Sequence, residues 1–425
     1  KTAGIDGFRA LTDRKRIKLF YELKSRNIKS HRPKPAFRKY IAKKNGKLRP
    51  LSIPIIIDRI YQEIVRMALE PQWEFRFEPI SYGFRPKRSV HDAVARIFNN
   101  ISRGKWCWVF EGDFKSCFDT LSHEFILEQL EGFPLIKLVK RFLEAGYVDD
   151  GVFHISQRGT PQGGILSPLL ANIALTGLEE YLGISYYSHT REHYGGKYTT
   201  FITKGNYRVV RYADDFVIFA SNRSDIERVY DILDPYLDER GLTLAEDKTR
   251  ITHISDGFDF LGFNFRQYDT QMGKKCFIKP SKASIKSYKS KVDDIFKQYY
   301  GLSVDDLIYR LNPLIRGTAN YWCHVVSKKV FSDMHYYMWG KVYKFLRRMH
   351  PKKSWNWIKN KYFPYYDDGV HKGNWILTGP KEKNHLIRMD WFKIRRHAMI
   401  KHNYSPYDKS KESYFENRRY NRTFG

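Results

Sequence analysis

A chain of 425 residues is long enough for two or three domains, each with its own core. Its 75 Lys+Arg against 46 Asp+Glu leave a formal net charge of +29, which makes polyanions, nucleic acid first, the natural partners. No run of 18 apolar residues and no signal-peptide pattern occurs, and the four cysteines are spaced too widely for any Cys-x-x-Cys pair, which argues against a zinc finger or a disulfide framework.

The charge is unevenly placed. Residues 1–60 and 281–425 are strongly basic, whereas 61–280 are slightly acidic. Lys1 to Gly7 read as a Gly-rich turn, and a basic amphipathic helix follows over Arg14–Lys29. His31–Ile41 run extended into a strand. Asn45-Gly46 is a two-residue hairpin signal between Tyr40–Lys43 and Lys47–Pro54. Lys47 and Arg49 stand two apart and so share one face of that strand. Apolar spacing over Ile57–Leu69 predicts a helix with a buried stripe. Ser81-Tyr82-Gly83-Phe84-Arg85-Pro86-Lys87-Arg88-Ser89 is a basic segment leading into a helix from Val90, and Arg85, Lys87 and Arg88 are its phosphate-contact candidates.

Trp108–Asp113 is an apolar strand that ends on a carboxylate. Glu111, two residues earlier, shares its face but ranks below Asp113 as a ligand. Asp119 and His123 flank a helix start and read as local caps or pairs. Helices are expected over 123–146. Gly159–Ala174 joins a Gly-rich turn, Gly159-Thr160-Pro161-Gln162-Gly163-Gly164, to an apolar helix opened by Ser167-Pro168. Residues 183–208 are aromatic and Gly-rich and read as an inserted loop or hairpin. His189 and His193 lack a carboxylate or cysteine to complete a metal set, so they read as surface histidines.

Val209–Ala220 organises the middle of the chain. Two β-prone apolar runs flank Tyr212-Ala213-Asp214-Asp215, a hairpin with two carboxylates at its tip. Alone, the pair could be a solvated turn. Adjacent like charges repel, and a divalent metal with oxygen ligands, Mg²⁺ by preference, would offset them. If the strand ending at Asp113 lies beside this hairpin, Asp113 and Asp214 can share two ions with Asp215 close by. Two ions roughly 3.5–4 Å apart can activate an attacking oxygen and stabilise a leaving one. That is the chemistry of nucleotidyl transfer.

A helix is expected from Arg223 to Glu239, then a turn-rich block, Gly241–Thr252, and a strand of alternating aromatics, Phe258–Phe265. Past Pro280 the composition shifts to basic helices over Ile285–Tyr299 and Val304–Ile315. Lys and Trp alternate in His350–Phe363, a pattern that suits backbone charge and base stacking, or a basic bundle with Trp in its core. Residues 382–425 are basic and Tyr-rich.

Asp113-Phe114-Lys115-Ser116-Cys117-Phe118-Asp119, then Gly159 to Pro168, then Tyr-Ala-Asp-Asp resemble, in that order, the palm of reverse transcriptases, and most of all those encoded by group II introns. Leu311–Trp322 and His350–Phe363 resemble the thumb, or maturase X region, of the same proteins. Residues 382–425 resemble their DNA-binding region, here without the motifs of the zinc endonuclease that follows it in many members. The resemblance implies an α+β right-hand polymerase. Fingers and palm, with an antiparallel palm sheet, would span 1–280, after an N-terminal extension that is expected to begin before Lys1. An α-helical thumb/X domain would span 281–381 and a basic DNA-binding tail 382–425.

It also implies roles. Asp113, Asp214 and Asp215 are catalytic and, with Phe114, hold two Mg²⁺ ions, Mn²⁺ being an alternative. Lys47 and Arg49 clamp the triphosphate, Phe118 packs under the sugar and excludes a 2′-OH, Gln162 lies near the nucleotide, and Lys248 neutralises phosphate. RNA and DNA contacts fall to Arg85, Lys87, Arg88, Arg316, Lys352, Lys353, Trp355, Lys359, Lys361, Arg395 and Arg396. The implied reaction adds deoxynucleotides to a primer 3′-OH on an RNA template. The implied partners are the parent intron RNA, whose splicing and reverse splicing the protein aids, a target DNA with its primer strand, and deoxynucleoside triphosphates, with no membrane. The implied setting is the bacterial cytoplasm or an organelle interior. A splicing factor with a decayed polymerase and an RNA-templated RNA polymerase are the competing readings.

Overall fold

The structure, a computed structural model, describes residues 2–42, 46, 48–193, 196–298 and 301–424. Lys47 and Asn45 lie outside the described residues, so the clamp lysine and the start of the hairpin signal stay at the level of sequence. The chain forms two compact units, Lys1–Thr252 with Met399–Phe424, and His253–Ala398. Among the described residues no helix is long and apolar enough to cross a membrane.

Ten strands belong to the first unit: β1 (Ala36–Ala42), β2 (Leu48–Ile53), β3 (Trp108–Asp113), β4 (Tyr147–Asp149), β5 (Val152–His154), β6 (Ser185–His193), β7 (Gly196–Lys204), β8 (Tyr207–Tyr212), β9 (Asp215–Ala220) and β10 (Arg250–His253). One sheet has the order β2-β1-β4-β5, a second β10-β3-β9-β8, and β6 and β7 pair as a ribbon. The second sheet carries the core. Successive side chains of a strand face opposite ways, yet Phe216 to Ala220 are all buried, so β9 is covered on both faces. Gly112 on β3 is required there, because a Cβ would lie 2.2 Å from the Phe216 ring.

The long helix Ile56–Glu74 buries Tyr61, Val65, Leu69 and Trp73, one every turn, which is the stripe that the spacing of its apolar residues predicts. Two helices differ from their sequence periodicity, one ending early and one broken. The first runs Asp13–Lys24, capped by the Thr12 side chain, and gives way to a 3₁₀ turn capped by Asn27. The helix expected from Arg223 is split into Arg223–Glu227 and Val229–Arg240, the latter closed by Gly241 in the left-handed conformation.

The second unit opens with an antiparallel sheet of β11 (Phe258–Phe260), β12 (Phe263–Thr270) and β13 (Gly273–Pro280). The helices Lys282–Gln298, Val304–Trp322, Lys328–Met349 and Trp355–Tyr362 follow. The sheet is tied to them: Tyr321 donates to the Leu261 carbonyl at 2.8 Å and its ring stacks on Phe263 at 5.0 Å. Compactness therefore groups residues 253–280 with the helices, where composition alone drew a line after Pro280. Residues 399–424 return to the first unit. The Ile400 amide donates to Asp92 at 2.8 Å, and the Arg418 guanidinium pairs with the same carboxylate. Asp92 also accepts from the Ser89 amide at 2.9 Å in a capping box, so one buried carboxylate joins a helix start to the tail.

Candidate active site

β8 and β9 form a hairpin in which Tyr212 pairs with Asp215, leaving Ala213 and Asp214 as the turn. Ala213 has a φ of +58°, a conformation that tight hairpin turns need and that L-residues other than Gly resist. β3 runs antiparallel to β9 with Asp113 directly opposite Asp215. Side chains so paired stand about 4.5–5.5 Å apart at Cβ. Three carboxylates thus meet at one end of the sheet.

The crowding shows in their acidity. Burial, then the neighbouring Asp214 and Asp113, push the Asp215 carboxyl up to about 6. Asp214 is also raised, by burial and then by Asp113, while Arg49 and Lys248 pull it down. The segment after the hairpin supplies Lys248. Lys115 donates to the Thr243 carbonyl at 2.8 Å and Ala245 to the Asp113 carbonyl at 2.8 Å, and the Lys248 ammonium then pairs with the Asp113 carboxylate. Lys248, expected as a phosphate contact, stands on the Asp113 carboxylate with most of its side chain exposed. The donor set is all hard oxygen, negative in excess and opposed by one largely exposed ammonium, which suits a divalent cation. Phe114 offers it only a backbone carbonyl, because its ring is buried and stacked on Phe216 at 4.8 Å.

A proton and a metal compete for the same oxygens. The metal concentration for half-maximal activity is expected to rise on the order of tenfold per pH unit below 6, where Asp215 binds its proton, and to level off above it. Divalent-metal titrations on either side of pH 6 check this.

The other sequence candidates divide. The Gly159 and Thr160 amides donate to the Leu121 and Phe118 carbonyls at 2.7 and 2.6 Å, which lays the Gly-rich turn against the turn after β3. The Gln162 carbonyl accepts from the Ser52 amide at 2.6 Å. Its side chain accepts from Arg49 at 3.1 Å and donates to Asp119 at 3.4 Å. Arg49 and Gln162 therefore gather against the turn that carries Phe118 and Asp119, and Arg49 is near enough to Asp214 to act on its acidity. The edge of the exposed Phe84 ring meets Phe118 at 6.3 Å. Glu111 is held by Arg250 in two bonds of 2.7 and 2.9 Å and belongs to the frame.

Arg85 and Arg88 require a correction. Both are buried. Arg85 forks onto Glu74 at 2.9 and 2.8 Å and onto the Glu78 and Ser81 carbonyls, and Arg88 donates to the Pro79 and His402 carbonyls. A guanidinium with five donors is the group best able to satisfy such a buried set, and neither reaches a nucleic-acid backbone. Lys87 between them stays exposed.

In the second unit Arg316, Lys352, Lys353, Lys361, Arg395 and Arg396 are exposed. The Lys353 and Lys361 ammoniums lie 5.3 and 4.8 Å from the Trp357 ring centre, and Lys359 lies 4.9 Å from Trp375. Trp355 packs against Tyr343 at 4.7 Å and Phe363 at 6.1 Å. Two residues not singled out in the sequence, Arg211 and Asn172, are buried beneath the hairpin turn. An arginine inside an otherwise apolar strand was the available signal.

Residues 41–265 match the family model for reverse transcriptases (RNA-dependent DNA polymerases), and residues 285–363 match the group II intron maturase-specific domain. Protein YkfC of Escherichia coli strain K12 is 35% identical over 299 residues, covering 64% of this chain and 78% of YkfC. Group II intron-encoded protein LtrA of Lactococcus lactis subsp. cremoris is 29% identical over 418 residues, covering 81% of this chain and 68% of LtrA. A solved telomerase from Candida albicans, in complex with a fragment of telomeric RNA, aligns with 78% of this chain and 61% of its own at 14% identity and a TM-score of 0.42. With a polymerase family model over the carboxylate-bearing strands and a maturase model over the helices that follow, the chain belongs to the reverse transcriptases encoded by group II introns, RNA-directed DNA polymerases that carry a maturase domain.

Proposed function

We propose that the chain is a right-hand polymerase in which Asp113, Asp214 and Asp215 hold two Mg²⁺ ions and transfer deoxynucleotides to a primer 3′-OH on an RNA template. The observation that carries this reading is the pairing of Asp113 with Asp215 beside the Ala213-Asp214 turn. When bound, the ions supply charge neutralisation at the attacking and leaving oxygens. The protein's own part is positioning. Arg49 and Gln162 present a guanidinium and an amide beside the carboxylates for the triphosphate, with Lys47 added from the same strand. Phe118, buried under the site, packs against the sugar and leaves no room for a 2′-OH.

In functional terms fingers and palm extend to about residue 280, because the Phe258–Phe265 block supports the primer end even though its sheet packs with the helices. The thumb/X domain runs to 381 and a DNA-binding stretch from 382. The exposed cations Lys87, Arg316, Lys352, Lys353, Lys361, Arg395 and Arg396 and the half-buried Lys359, with Trp355, meet intron RNA and target DNA. There the protein aids splicing and reverse splicing and copies the intron by target-primed reverse transcription, in a bacterial cytoplasm or an organelle interior. Primer extension on an RNA template, with and without Mg²⁺, tests the reading; extension independent of divalent metal would overturn it. Phe118→Ala is expected to weaken discrimination against ribonucleotides roughly ten- to hundredfold, read from the ratio of kcat/KM values for the two sugars. Efficient ribonucleotide use by the parent enzyme would sink the assignment of Phe118.

A further inference from the structure

We infer that Arg211 and Asn172 are positioning residues that hold the Ala213-Asp214 turn in its strained conformation and so aim the Asp214 carboxylate; the inference rests on Asp214 being catalytic. Arg211 is fully buried, the largest side chain in the interior to be so. One of its nitrogens donates to the Ala213 carbonyl at 3.2 Å and to the Asn172 side-chain oxygen at 3.1 Å. The Asn172 amide nitrogen donates onward to the Gly83 carbonyl at 2.9 Å. Gly83 closes the ring from outside. A Cβ on it would lie 2.3 Å from the Ala213 nitrogen and 2.9 Å from the Ala213 Cβ, so only glycine lets the two backbones touch. The strand next to it is pinned by backbone bonds of 3.0 Å from Tyr82 to the Arg211 carbonyl and from Arg211 to the Ile80 carbonyl.

The turn has a reason to need this. Ala213 sits at +58° in φ, where an L-residue is disfavoured by about 1–2 kcal/mol. That strain alone pushes the tip away from the observed geometry. Surrounding structure must over-determine such a residue for it to persist. The Arg211–Asn172–Gly83 chain does so from below, and it touches no carboxylate of the site. Its effect on chemistry runs through the direction in which Asp214 points.

The test is a cycle of Asn172→Ala and Ala213→Gly, chosen because both leave the buried charges in place. Asn172→Ala is expected to lower kcat on the order of ten- to hundredfold and to raise the metal concentration for half-maximal activity. The deoxynucleotide KM and the affinity for primer–template should stay within about twofold. Glycine adopts positive φ freely, so in the Ala213→Gly background the same substitution is expected to cost only about threefold. A purely structural Asn172 would instead lower the melting temperature, leave kcat and metal midpoint per folded molecule unchanged, and act additively with Ala213→Gly. Either unchanged kinetics or additivity overturns the inference. Asp214→Asn runs alongside: if that variant still synthesises cDNA, the catalytic assignment has failed and not the clamp.

Discussion

Asp214→Asn is expected to abolish cDNA synthesis, by about 10³-fold or more, while the folded protein still binds RNA. A metal-held carboxylate supplies several kcal/mol of transition-state charge stabilisation, and each 1.36 kcal/mol is a factor of about ten in rate. The same substitution should raise stability when divalent metal is chelated. The sign follows from the acidity of the cluster. The Asp215 carboxyl is pushed up to about 6 and Asp214 is also raised. A carboxyl whose native pKa lies above its ordinary value of about 4 favours the fold below that value, and the favour is lost as pH rises through about 6. At neutral pH the metal-free protein therefore carries a repulsion that the amide removes. Thermal melts with and without Mg²⁺ should show the parent gaining more from the ion than the variant does. Loss of RNA binding or of splicing assistance in a folded Asp214→Asn protein would break the division between a catalytic first unit and a maturase function.

What the chain order revealed, and what it hid, follow from the range of the forces involved. The hairpin at Val209–Ala220 was legible because strand propensity and a short turn are local, and β8 and β9 form it where the pattern places it. The register that sets Asp113 opposite Asp215 is not local. It joins strands separated by five helices and five strands, and at that register Gly112 fits closely against Phe216. Charge was the least readable property. Arg85 and Arg88 look like surface cations in a basic protein, yet both are buried, Arg85 on the Glu74 carboxylate and Arg88 on the Pro79 and His402 carbonyls; Arg211 is buried too, on the Ala213 carbonyl and the Asn172 side chain. Lys248 reads as a phosphate ligand, and only the fold shows that it also stands on Asp113. The return of residues 399–424 to the first unit rests on long-range bonds to Asp92, Arg88 and Lys87 that no local pattern announces.

Glu74→Ala is expected to cost the first unit about 3–5 kcal/mol, the largest stability loss anticipated from a single surface-type residue in this chain. Its side chain is fully buried, as are those of Arg85 at 2.8 Å and Arg88 at 3.5 Å. Arg88 is already pulled down to about 10, by burial and by the charge of Arg85. Removing the carboxylate leaves two guanidiniums sharing a dry pocket with no anion between them, and an uncompensated buried charge costs far more than the pair gained. Denaturant midpoints of the full chain, followed in its first unit, check the loss. A second substitution separates this account from a phosphate contact. If Arg85 reached nucleic acid, Arg85→Met would weaken RNA binding and flatten its salt dependence while stability held. The buried fork requires the reverse: stability falls, the salt dependence of RNA binding is unchanged in the folded fraction, and Glu74→Met combined with Arg85→Met recovers part of the loss, because an apolar pair needs no counter-charge.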